Sequence, residues 1–376
     1  MTNGKDNLVK PRKIRIAYVI DHFFRGGGTE NQLANLIDHL DRERFEPIVF
    51  NTRPFWHEVE TAQPCPVIYL KVRSLFSWRA LTAFFKLWRH LRRERVDIVQ
   101  VYFFDSRLLG TLAGKLAGVG RIVFCRRDMG WWHTRLRKAT IRSLAAVSHY
   151  CLVNARVVKD MVVGTERFPR ERIEVIYNGL RFGPPPGATP ITRGDLDIPE
   201  HVPIVGMVGN LRPVKRYDRL VRIAAAMSNR QAHFVVVGRG QLLESIRAQA
   251  AEAGVIDRFH FLHLVGVYHL LRLFDIGVLT SESEGLSNVL IEYALAGKPA
   301  VAFDVGGNRE VVLDGETGFV VPDGDEEQMA ARLDYLLETP HLCEQYGARA
   351  QQTAPSRFDL EAMVGKTEQF YERIVR

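Results

Sequence analysis

Two consecutive β/α units occupy residues 275–322. A short apolar run at 276–280 ends in a polar turn, and Ser287 then stands where a helix N-cap belongs, ahead of helical apolar spacing over 289–296. A second apolar run at 299–303 ends before two glycines. Short apolar strands that alternate with helices are typical of a parallel sheet with helices on both faces, so this segment restricts the chain to an α/β fold.

The turn between the first of these strands and its helix has the chemistry of an anion site. Gly285 and Ser287 are small enough to let the backbone approach a ligand, and the helix that begins there offers N–H groups and a partial positive charge. Glu284 and Glu292 lie eight residues apart, one before the helix and one inside it. The first can face a reacting centre, and the second can hold a sugar diol. The alternative is a capped helix that carries two surface carboxylates.

The sequence Glu-Gly-Leu-Ser-Asn-Val-Leu-Ile-Glu at 284–292, with Ala-x-Gly-x-Pro and Gly-Gly-Asn-x-Glu behind it, resembles the E-x7-E donor-site signature of glycosyltransferase family 4. Members of that family are retaining enzymes with the GT-B fold. The resemblance implies that Glu292 binds the ribose of a nucleotide sugar and that Glu284 lies beside the anomeric carbon and the diphosphate. It also implies that the turn between them binds the phosphates through Gly285, Leu286, Ser287 and Asn288.

A glycine-rich loop follows the first predicted strand, at 14–20. Strand, glycine turn and helix in this order form the phosphate-binding arrangement of doubly wound folds. The sequence Gly26-Gly27-Gly28-Thr29-Glu30 resembles the family's N-terminal Gly-Gly-x-Glu loop, whose backbone faces the donor diphosphate and the acceptor across the cleft. The resemblance implies donor contacts from Gly27 and Gly28. An ordinary turn is the alternative, because glycine clusters are common in turns.

A cationic loop at 209–216 follows the strand predicted at 204–208. Such a loop suits a diphosphate, because its cations can neutralise the charge that grows on a leaving nucleotide. The loop resembles the family pattern Gly-Arg-x-x-x-x-Lys, with Lys215 in the lysine's place and Asn210 in the arginine's place. The resemblance implies a catalytic and donor-binding Lys215, with Asn210 beside the donor and Arg212 as the source of the guanidinium. The alternative is a solvated basic turn.

Two more loops are expected on the donor side of the cleft. The strand predicted at 234–237 ends at Gly238, which we expect to contact the donor, because ligands bind outside the carboxyl ends of parallel strands. The loop at 263–265 resembles the family loop whose backbone binds the nucleobase, which implies donor contacts from His263, Leu264 and Val265. At His263 a purely structural histidine is the alternative.

The candidate acceptor residues follow the strand predicted at 121–125. Many family members carry a histidine at about this position, beside the acceptor, whereas this chain has Arg127 and Asp128, with His133 a few residues later. We expect Asp128 to position the acceptor hydroxyl as a catalytic residue, and Arg127 to contact a phosphate or an acceptor anion. His133 is a third acceptor candidate. A structural Arg–Asp pair is the alternative.

Charge and cysteine usage limit the partners and the compartment. Residues 1–180 hold 31 Lys and Arg against 17 Asp and Glu, a balance of +14, and the remainder holds 20 against 26, or −6. A basic N-terminal half suits a polyanion, an anionic membrane surface or a diphosphate-linked acceptor. Nucleic acid is disfavoured, because the basic residues form no RNA-binding signature or zinc finger. Four scattered cysteines fit reduced thiols, so we expect a cytoplasmic protein.

The segment 77–95 is predicted to form a basic amphipathic helix. Its leucines and aromatic residues keep helical spacing, and its arginines give dense positive charge. Such a helix can lie on an anionic membrane, which would make the protein peripheral to the inner face of the plasma membrane. The alternative is a helix that packs on the core and exposes its basic face to solvent. Both can hold, since one face can pack while the arginines meet lipid.

Together these residues predict a GT-B protein with two Rossmann-like α/β domains that face each other across a cleft. Residues 1–180 form the acceptor-binding domain, 181–203 the Pro- and Gly-rich linker, and 204–357 the nucleotide-sugar-binding domain. The resemblance implies that the helix at 358–376 returns to the first domain.

The implied function is transfer of a sugar from a nucleoside diphosphate sugar to a saccharide or lipid-linked acceptor, with retention of configuration, in surface polysaccharide or lipopolysaccharide biosynthesis. We expect no metal or other cofactor, because the D-x-D match at 195–197 lies in the linker. Three alternatives remain open: a nucleotide-sugar 2-epimerase of the same fold, a non-catalytic protein that binds a nucleotide sugar, and a non-catalytic protein that binds a membrane surface.

Overall fold

In a computed structural model the chain folds around two parallel β-sheets. The structure describes residues 12–24, 26–53, 63–130, 134–181, 183–184, 190–263 and 267–376. The predicted contacts from His133, Leu264 and Val265 lie outside these residues. Among the described residues, no helix combines the length and the apolar character needed to cross a bilayer.

The first sheet has seven strands in the order β3-β2-β1-β4-β5-β6-β7. The strands are β1 (Ile14–Ile20), β2 (Phe45–Asn51), β3 (Val67–Tyr69), β4 (Ile98–Val101), β5 (Arg121–Arg126), β6 (Tyr150–Val153) and β7 (Ile173–Val175). The helices of this part are α1 (Gly28–His39), α2 (Trp78–Arg93), α3 (Phe104–Ala117), α4 (Arg135–Val147) and α5 (Arg156–Met161), followed by a π turn at Val162–Glu166.

The second sheet has six strands in the order β10-β9-β8-β11-β12-β13. The strands are β8 (Ile204–Val208), β9 (His233–Val237), β10 (Phe259–Leu262), β11 (Ile276–Leu279), β12 (Ala300–Phe303) and β13 (Gly318–Val321). The helices are α6 (Tyr217–Ala226), α7 (Leu243–Glu252), α8 (Val267–Leu273), α9 (Asn288–Leu295), α10 (Glu326–Glu338), α11 (Pro340–Phe358) and α12 (Leu360–Val375), with 3₁₀ turns at Pro213–Lys215 and Asn308–Glu310.

Each sheet reverses its strand order beside its first strand. In the first sheet β1 lies between β2 and β4, and in the second β8 lies between β9 and β11, with all pairs parallel. A crevice forms at the carboxyl ends of the strands where the order reverses. The loops after β1, β8 and β11 therefore lie at the two crevices, and the loop after β5 lies at the same carboxyl edge of the first sheet.

The chain returns to the first sheet through its last helix, as predicted. The backbone N–H of Leu180 donates to the Phe358 carbonyl at 2.9 Å, so the outgoing and returning segments are hydrogen-bonded to each other. The returning helix α12 begins at Leu360 rather than at 358, because Asp359 caps it by accepting from the Ala362 N–H. Helix α11 ends at Phe358 and separates α10 from α12.

Helix α12 is held on the first sheet by an apolar face and a buried polar contact. Met363, Phe370 and Tyr371 are buried in the same apolar cluster as strands β1, β2 and β4. The Tyr371 hydroxyl donates to Gln100 Oε1 at 2.8 Å and lies 3.2 Å from the Tyr18 hydroxyl. These contacts hold the returning helix α12 against the first sheet.

The substitution Tyr371→Ala should lower the free energy of unfolding by roughly 3–5 kcal/mol, because it opens a cavity and removes the buried donor of Gln100. Urea denaturation followed by intrinsic fluorescence measures the change. Tyr335→Ala on α10 is the control, since that side chain is 46% exposed. An equal loss of stability in both variants would contradict tight packing of α12 on the first sheet.

Candidate functional site

The turn from Glu284 to Asn288 joins β11 to α9 and forms the centre of the site. Ser287 has the extended backbone of an N-cap residue and is buried, as its position predicts, but its hydroxyl makes no capping bond to α9. The first turn of α9 therefore has no side-chain cap from its own N-cap residue. Leu286 is buried beneath the turn, which fixes the backbone that precedes the helix.

Gly285 is the closest approach between this turn and the first domain. A Cβ atom at Gly285 would overlap the carbonyl group of Arg127, so no larger residue fits there. On the other side, the N–H of Gly307 donates to the Gly285 carbonyl at 2.8 Å, and Gly306 adopts φ +52° against the Glu284 carbonyl. The turn is therefore enclosed between the predicted acceptor loop and the glycines that follow β12.

Lys215 and Glu284 form an ion pair inside the cleft. The Lys215 Nζ donates to Glu284 Oε1 at 2.6 Å, and both side chains are largely buried. The lysine ends the 3₁₀ turn after β8, and the Thr280 hydroxyl bonds to its carbonyl oxygen at 3.0 Å, which ties this turn to the end of β11. The structure therefore brings together two residues that are 69 positions apart and that the sequence assigned to the same reaction centre.

Arg212 and Asn210 lie on the same loop but make different contacts. The Arg212 side chain is exposed at the cleft, whereas Asn210 Nδ2 donates to the Gly26 carbonyl of the first domain at 3.4 Å. A cavity of about 900 Å³ lies between this loop and the first domain. Its lining comes from three segments and one further residue: Phe24 and Gly26, Asn210 to Val214, Arg239 to Gln241, and Glu282.

The first-domain glycine loop faces the start of α9. Gly27 is the N-cap residue of α1 and Gly28 is its first residue. A Cβ atom at Gly28 would lie 3.4 Å from Asn288 Nδ2, so the N-termini of α1 and α9 approach each other across the cleft. Because both helix ends carry partial positive charge, their convergence favours an anion between them.

Glu30 is a cleft residue that the sequence reasoning did not assign. Burial raises the pKa of its carboxyl, and the charges of Arg212 and Arg127 act in the opposite direction. The side chain therefore lies within electrostatic range of a cation from each domain. Glu30 could have been found from its position in the Gly-Gly-x-Glu pattern. That pattern was interpreted as a role for the backbone of the loop and not for the carboxylate.

Glu292 is a partly buried carboxylate on the cleft-facing side of α9. It lies four residues after Asn288, so the two side chains share a helix face, and Asn288 faces Gly28. Burial raises the pKa of Glu292 to about 7. Its carboxylate has no hydrogen bond or ion pair with the residues that the structure describes, which makes it available to hydroxyl donors of a ligand.

The acceptor loop after β5 contains a structural ion pair, but not between the two predicted residues. Asp128 accepts from the Gly130 N–H at 2.7 Å and lies 3.5 Å from Arg126. Arg127 instead donates to Asn178 Oδ1 at 2.7 Å, and Asn178 Nδ2 donates to Asn288 Oδ1 at 2.6 Å. Arg127 is therefore linked to the donor turn through one asparagine.

A buried cluster of three charged side chains holds the end of β5, where the acceptor loop begins. Glu166, which is 1% exposed, lies 2.7 Å from an Arg107 nitrogen and 2.9 Å from an Arg126 nitrogen. The Arg107 guanidinium also lies 3.6 Å from the centre of the Phe124 ring. Sequence reasoning missed this cluster, because its three members come from α3, β5 and the turn after α5.

The predicted nucleobase side of the site is narrow. The N–H of Gly238 donates to the Leu262 carbonyl at 2.9 Å, and a Cβ atom there would overlap the Gly209 carbonyl. His263 is exposed and borders a cavity of about 40 Å³ beside Gly238. Among the described residues, no group of three or more His, Cys, Asp and Glu side chains is arranged to hold a metal ion.

Two protein-family models match the chain. The model described as Glycosyltransferase Family 4 matches residues 26–181, and the model described as Glycosyl transferases group 1 matches residues 189–353. The first match includes the glycine loop and the acceptor loop. The second includes Lys215, Glu284 and Glu292.

Two proteins of similar sequence are named as glycosyltransferases. The lipopolysaccharide core biosynthesis glycosyltransferase LpsD of Rhizobium meliloti (strain 1021) is 25% identical over 358 residues, which is 94% of this chain and 97% of that protein. The D-inositol 3-phosphate glycosyltransferase of Nocardia farcinica (strain IFM 10152) is 33% identical over 199 residues, covering 48% of this chain and 43% of that protein.

Two solved structures share the whole architecture. The structure of Anabaena Alr3699/HepE in complex with UDP and glucose has a TM-score of 0.82 at 19% identity and covers 96% of this chain and 100% of that one. The sucrose-phosphate synthase of Thermosynechococcus elongatus has a TM-score of 0.81 at 18% identity, with 96% and 99% coverage. These similarities confirm the predicted GT-B fold.

The raised pKa of Glu292 predicts a pH dependence of stability. In the unfolded chain this carboxyl ionises near its ordinary pKa of 4.5, whereas in the folded protein it keeps its proton to about pH 7. The folded state therefore holds more protons in this window, and stability falls as the pH rises through it. Relative to Glu292→Gln, which cannot ionise, the wild type should lose about 1–3 kcal/mol between pH 4.5 and 8.

Urea denaturation at several pH values measures this difference. Glu244→Gln is the control, because that carboxylate is exposed on α7. The control should follow the wild-type pH profile. A constant difference between the wild type and Glu292→Gln across the pH range would contradict a desolvated carboxyl at this position.

Proposed function

We propose that this chain, which is a glycosyltransferase of the GT-B fold, transfers a sugar from a nucleoside diphosphate sugar with retention of configuration. One observation carries the proposal: the Lys215–Glu284 ion pair stands at the beginning of the turn that leads into α9, and the N-terminus of α9 faces that of α1. An ammonium and two helix N-termini on the same loops of the cleft suit a diphosphate.

The donor residues divide between charge and hydrogen bonding. The negative charge of the diphosphate is neutralised by Lys215, Arg212 and the helix N-termini. The proposal requires no metal ion. The N–H groups at Gly27 and Gly28 and in the 285–288 turn contact the phosphates. Glu292 accepts from the ribose hydroxyls, which supply the donors that its carboxylate lacks in the free protein. The proposed nucleobase contacts are the backbone of 263–265 and the narrow space beside Gly238.

The proposed reaction follows from where charge develops. The bond between C1 and the diphosphate oxygen breaks, the acceptor oxygen bonds to C1 on the same face, and the departing phosphate oxygen takes the acceptor proton. Lys215 stabilises that oxygen as its charge grows. Glu284 holds the ammonium in position and faces the anomeric carbon. Asp128 and Arg127 are proposed to position the acceptor, together with His133.

The donor and acceptor classes are drawn from the relatives. The Anabaena neighbour was solved with UDP and glucose, and the Rhizobium relative is named for lipopolysaccharide core biosynthesis. A second relative, from Salmonella typhi, is named the Vi polysaccharide biosynthesis protein VipC/TviE and is 26% identical over 298 residues, covering 73% of this chain and 51% of that protein. They support a UDP-sugar donor and a saccharide or lipid-linked acceptor in surface polysaccharide or lipopolysaccharide assembly.

A basic surface of the first domain supports contact with the membrane that holds such acceptors. Helices α2 and α4 contain no acidic residue, and α3 packs against both. Nine large apolar side chains of the described residues are exposed, and seven of them lie on or just before these helices: Phe76, Trp78, Leu81, Phe85, Leu112, Leu116 and Leu136. Phe76 is fully exposed and Trp78 is 76% exposed.

The opposite face of α2 packs on the core. The buried residues of this face are Ala80, Ala83, Leu87 and Leu91. One face of α2 therefore packs on the core while the other face is exposed, so both predicted features are present. Exposed aromatic residues beside arginines suit the interface of an anionic bilayer. We therefore propose a peripheral protein on the cytoplasmic face of the plasma membrane.

Replacing Lys215 by alanine should lower kcat by roughly 10²–10³-fold with little change in the KM of the donor, because its charge acts mainly on the oxygen that departs in the transition state. Glu292→Ala should instead weaken UDP binding. Turnover of a panel of UDP-sugars with a lipopolysaccharide acceptor, and calorimetric UDP binding, measure the two effects. Release of the epimerised sugar from the donor alone, without an acceptor, would identify a 2-epimerase instead.

Arg222→Ala is the matched control, since it removes one cation from α6, where Arg222 pairs with Glu326 away from the cleft. It should leave kcat and UDP affinity unchanged. A double variant, Glu284→Ala with Lys215→Ala, that transferred sugar at the wild-type rate would contradict the proposed function.

Charge reversal on α2 should abolish binding to anionic vesicles. Each basic residue near the surface contributes about 1 kcal/mol, so replacing three of them by Glu should weaken binding by about 100-fold or more. The replaced residues are Arg89, Arg92 and Arg93. Sedimentation with vesicles that contain phosphatidylglycerol, at low and high salt, measures the effect.

The control reverses three exposed arginines of the second domain, where the same change of net charge should leave sedimentation intact. These are Arg230, Arg332 and Arg349. If the α2 variant and this control sedimented equally well, α2 would be a helix whose basic face is merely solvated.

A further inference from the structure

Glu310 lies outside the cleft but connects the two domains. Its carboxylate accepts from the N–H groups of Arg156 and Val157, at 2.9 Å each, and from the Tyr177 hydroxyl at 2.8 Å. All three donors belong to the first domain, whereas Glu310 ends the 3₁₀ turn after β12 in the second. One carboxylate thus has three hydrogen-bond donors across the domain boundary.

The same residue adjoins both crossings, which are the places where the chain passes between the domains at 178–181 and 358–360. Tyr177 immediately precedes the first crossing, and its ring lies 5.7 Å from that of Phe358 in an edge-to-face contact. Arg357, just before the second crossing, donates to the Glu310 carbonyl oxygen. Glu310 therefore makes contacts with the residues that precede both crossings.

The residues just before Glu310 contact the donor turn. The Gly307 N–H donates to the Gly285 carbonyl at 2.8 Å, and a Cβ atom at Gly307 would lie 3.1 Å from the Cβ of Ala155. Between these contacts, Asn308 is fully buried and donates to the Phe303 carbonyl at 2.9 Å. The segment 306–310 is therefore short, internally bonded and in contact with the donor turn at one end and with the crossings at the other.

We propose that the segment 306–310 couples the donor turn to the orientation of the two domains, with Glu310 as a positioning residue for glycosyl transfer. Movement of the domains changes the distance between Glu310 and its three first-domain donors. The bond from Gly307 to Gly285 transmits the position of this segment to the turn beside Glu284. The proposal rests on the glycosyltransferase activity, and on no particular sugar, base or acceptor.

Loss of the Glu310 carboxylate should loosen the domain arrangement and leave the donor residues in place. In Glu310→Ala, small-angle X-ray scattering of the free protein should give a larger radius of gyration than the wild type. Calorimetric UDP binding should be unchanged, because Glu310 lies outside the donor cleft. The kcat of sugar transfer should fall by roughly 10- to 100-fold, since small misplacement of reacting groups has effects of this size.

Two milder variants should change kcat and the scattering less than Glu310→Ala does. Glu310→Gln keeps an acceptor oxygen and should recover part of kcat and of the wild-type scattering. Tyr177→Phe removes one of the three donors and should give a smaller decrease in kcat than Glu310→Ala. These variants also carry the test if Glu310→Ala fails to fold.

Arg309→Ala is the matched control. Arg309 is the neighbouring residue of the same turn, but it pairs with Asp304 of its own domain at 2.6 Å. The control should keep the wild-type scattering, UDP affinity and kcat.

Wild-type scattering and kcat in Glu310→Ala would overturn the proposal. Loss of UDP binding in parallel with kcat would also overturn it, because the residue would then support only the fold of the donor turn. A wild-type protein that bound no UDP would contradict the proposed donor instead, and the scattering comparison would still decide the role of Glu310.

Discussion

The contact between Gly285 and the Arg127 carbonyl determines how the two halves of this glycosyltransferase meet. Because a Cβ atom does not fit there, the donor turn approaches the acceptor loop to backbone distance. The same approach places the N-terminus of α9 opposite that of α1, and the Lys215–Glu284 pair of the second domain precedes this turn. A larger residue at this point would separate the domains, and the residues assigned to donor and acceptor would no longer share one cleft.

Desolvation gives the two glutamates of the site different properties. Glu284 is largely buried but has the Lys215 ammonium at 2.6 Å, so its charge is compensated within the protein. Glu292 has no such partner among the described residues, and burial alone raises its pKa to about 7. A diol that donates to Glu292 would favour its ionised form, so binding of a ribose and release of the proton are coupled. Glu284 and Glu292 are only eight positions apart, but among the described residues a cation neutralises the carboxylate of Glu284 alone.

The strands and the cleft loops were predictable from sequence, because apolar runs, glycine turns and helix caps are local signals. The assignment of Lys215 and Glu284 to one site came only through the family resemblance, and their ion pair was not predicted. Three features escaped: helix α11, whose 19 residues hold an internal proline, the buried Glu166 cluster, and the Glu310 contacts. The last two join Glu166 and Glu310 to residues at least 40 positions away, and no local pattern records such a pairing.

The predicted linker shows why local composition misleads at a boundary. Its proline- and glycine-rich start predicted a linker that extends to residue 203, yet Leu196, Ile198 and Val202 are buried, and Arg193 pairs with Asp275 of the second domain at 3.1 Å. The chain after residue 190 is therefore held to the second domain. At the crossings, the second domain also contacts the first through Glu310. If the first domain binds a membrane through α2, as proposed, the second domain is the one that moves when the Glu310 contacts change.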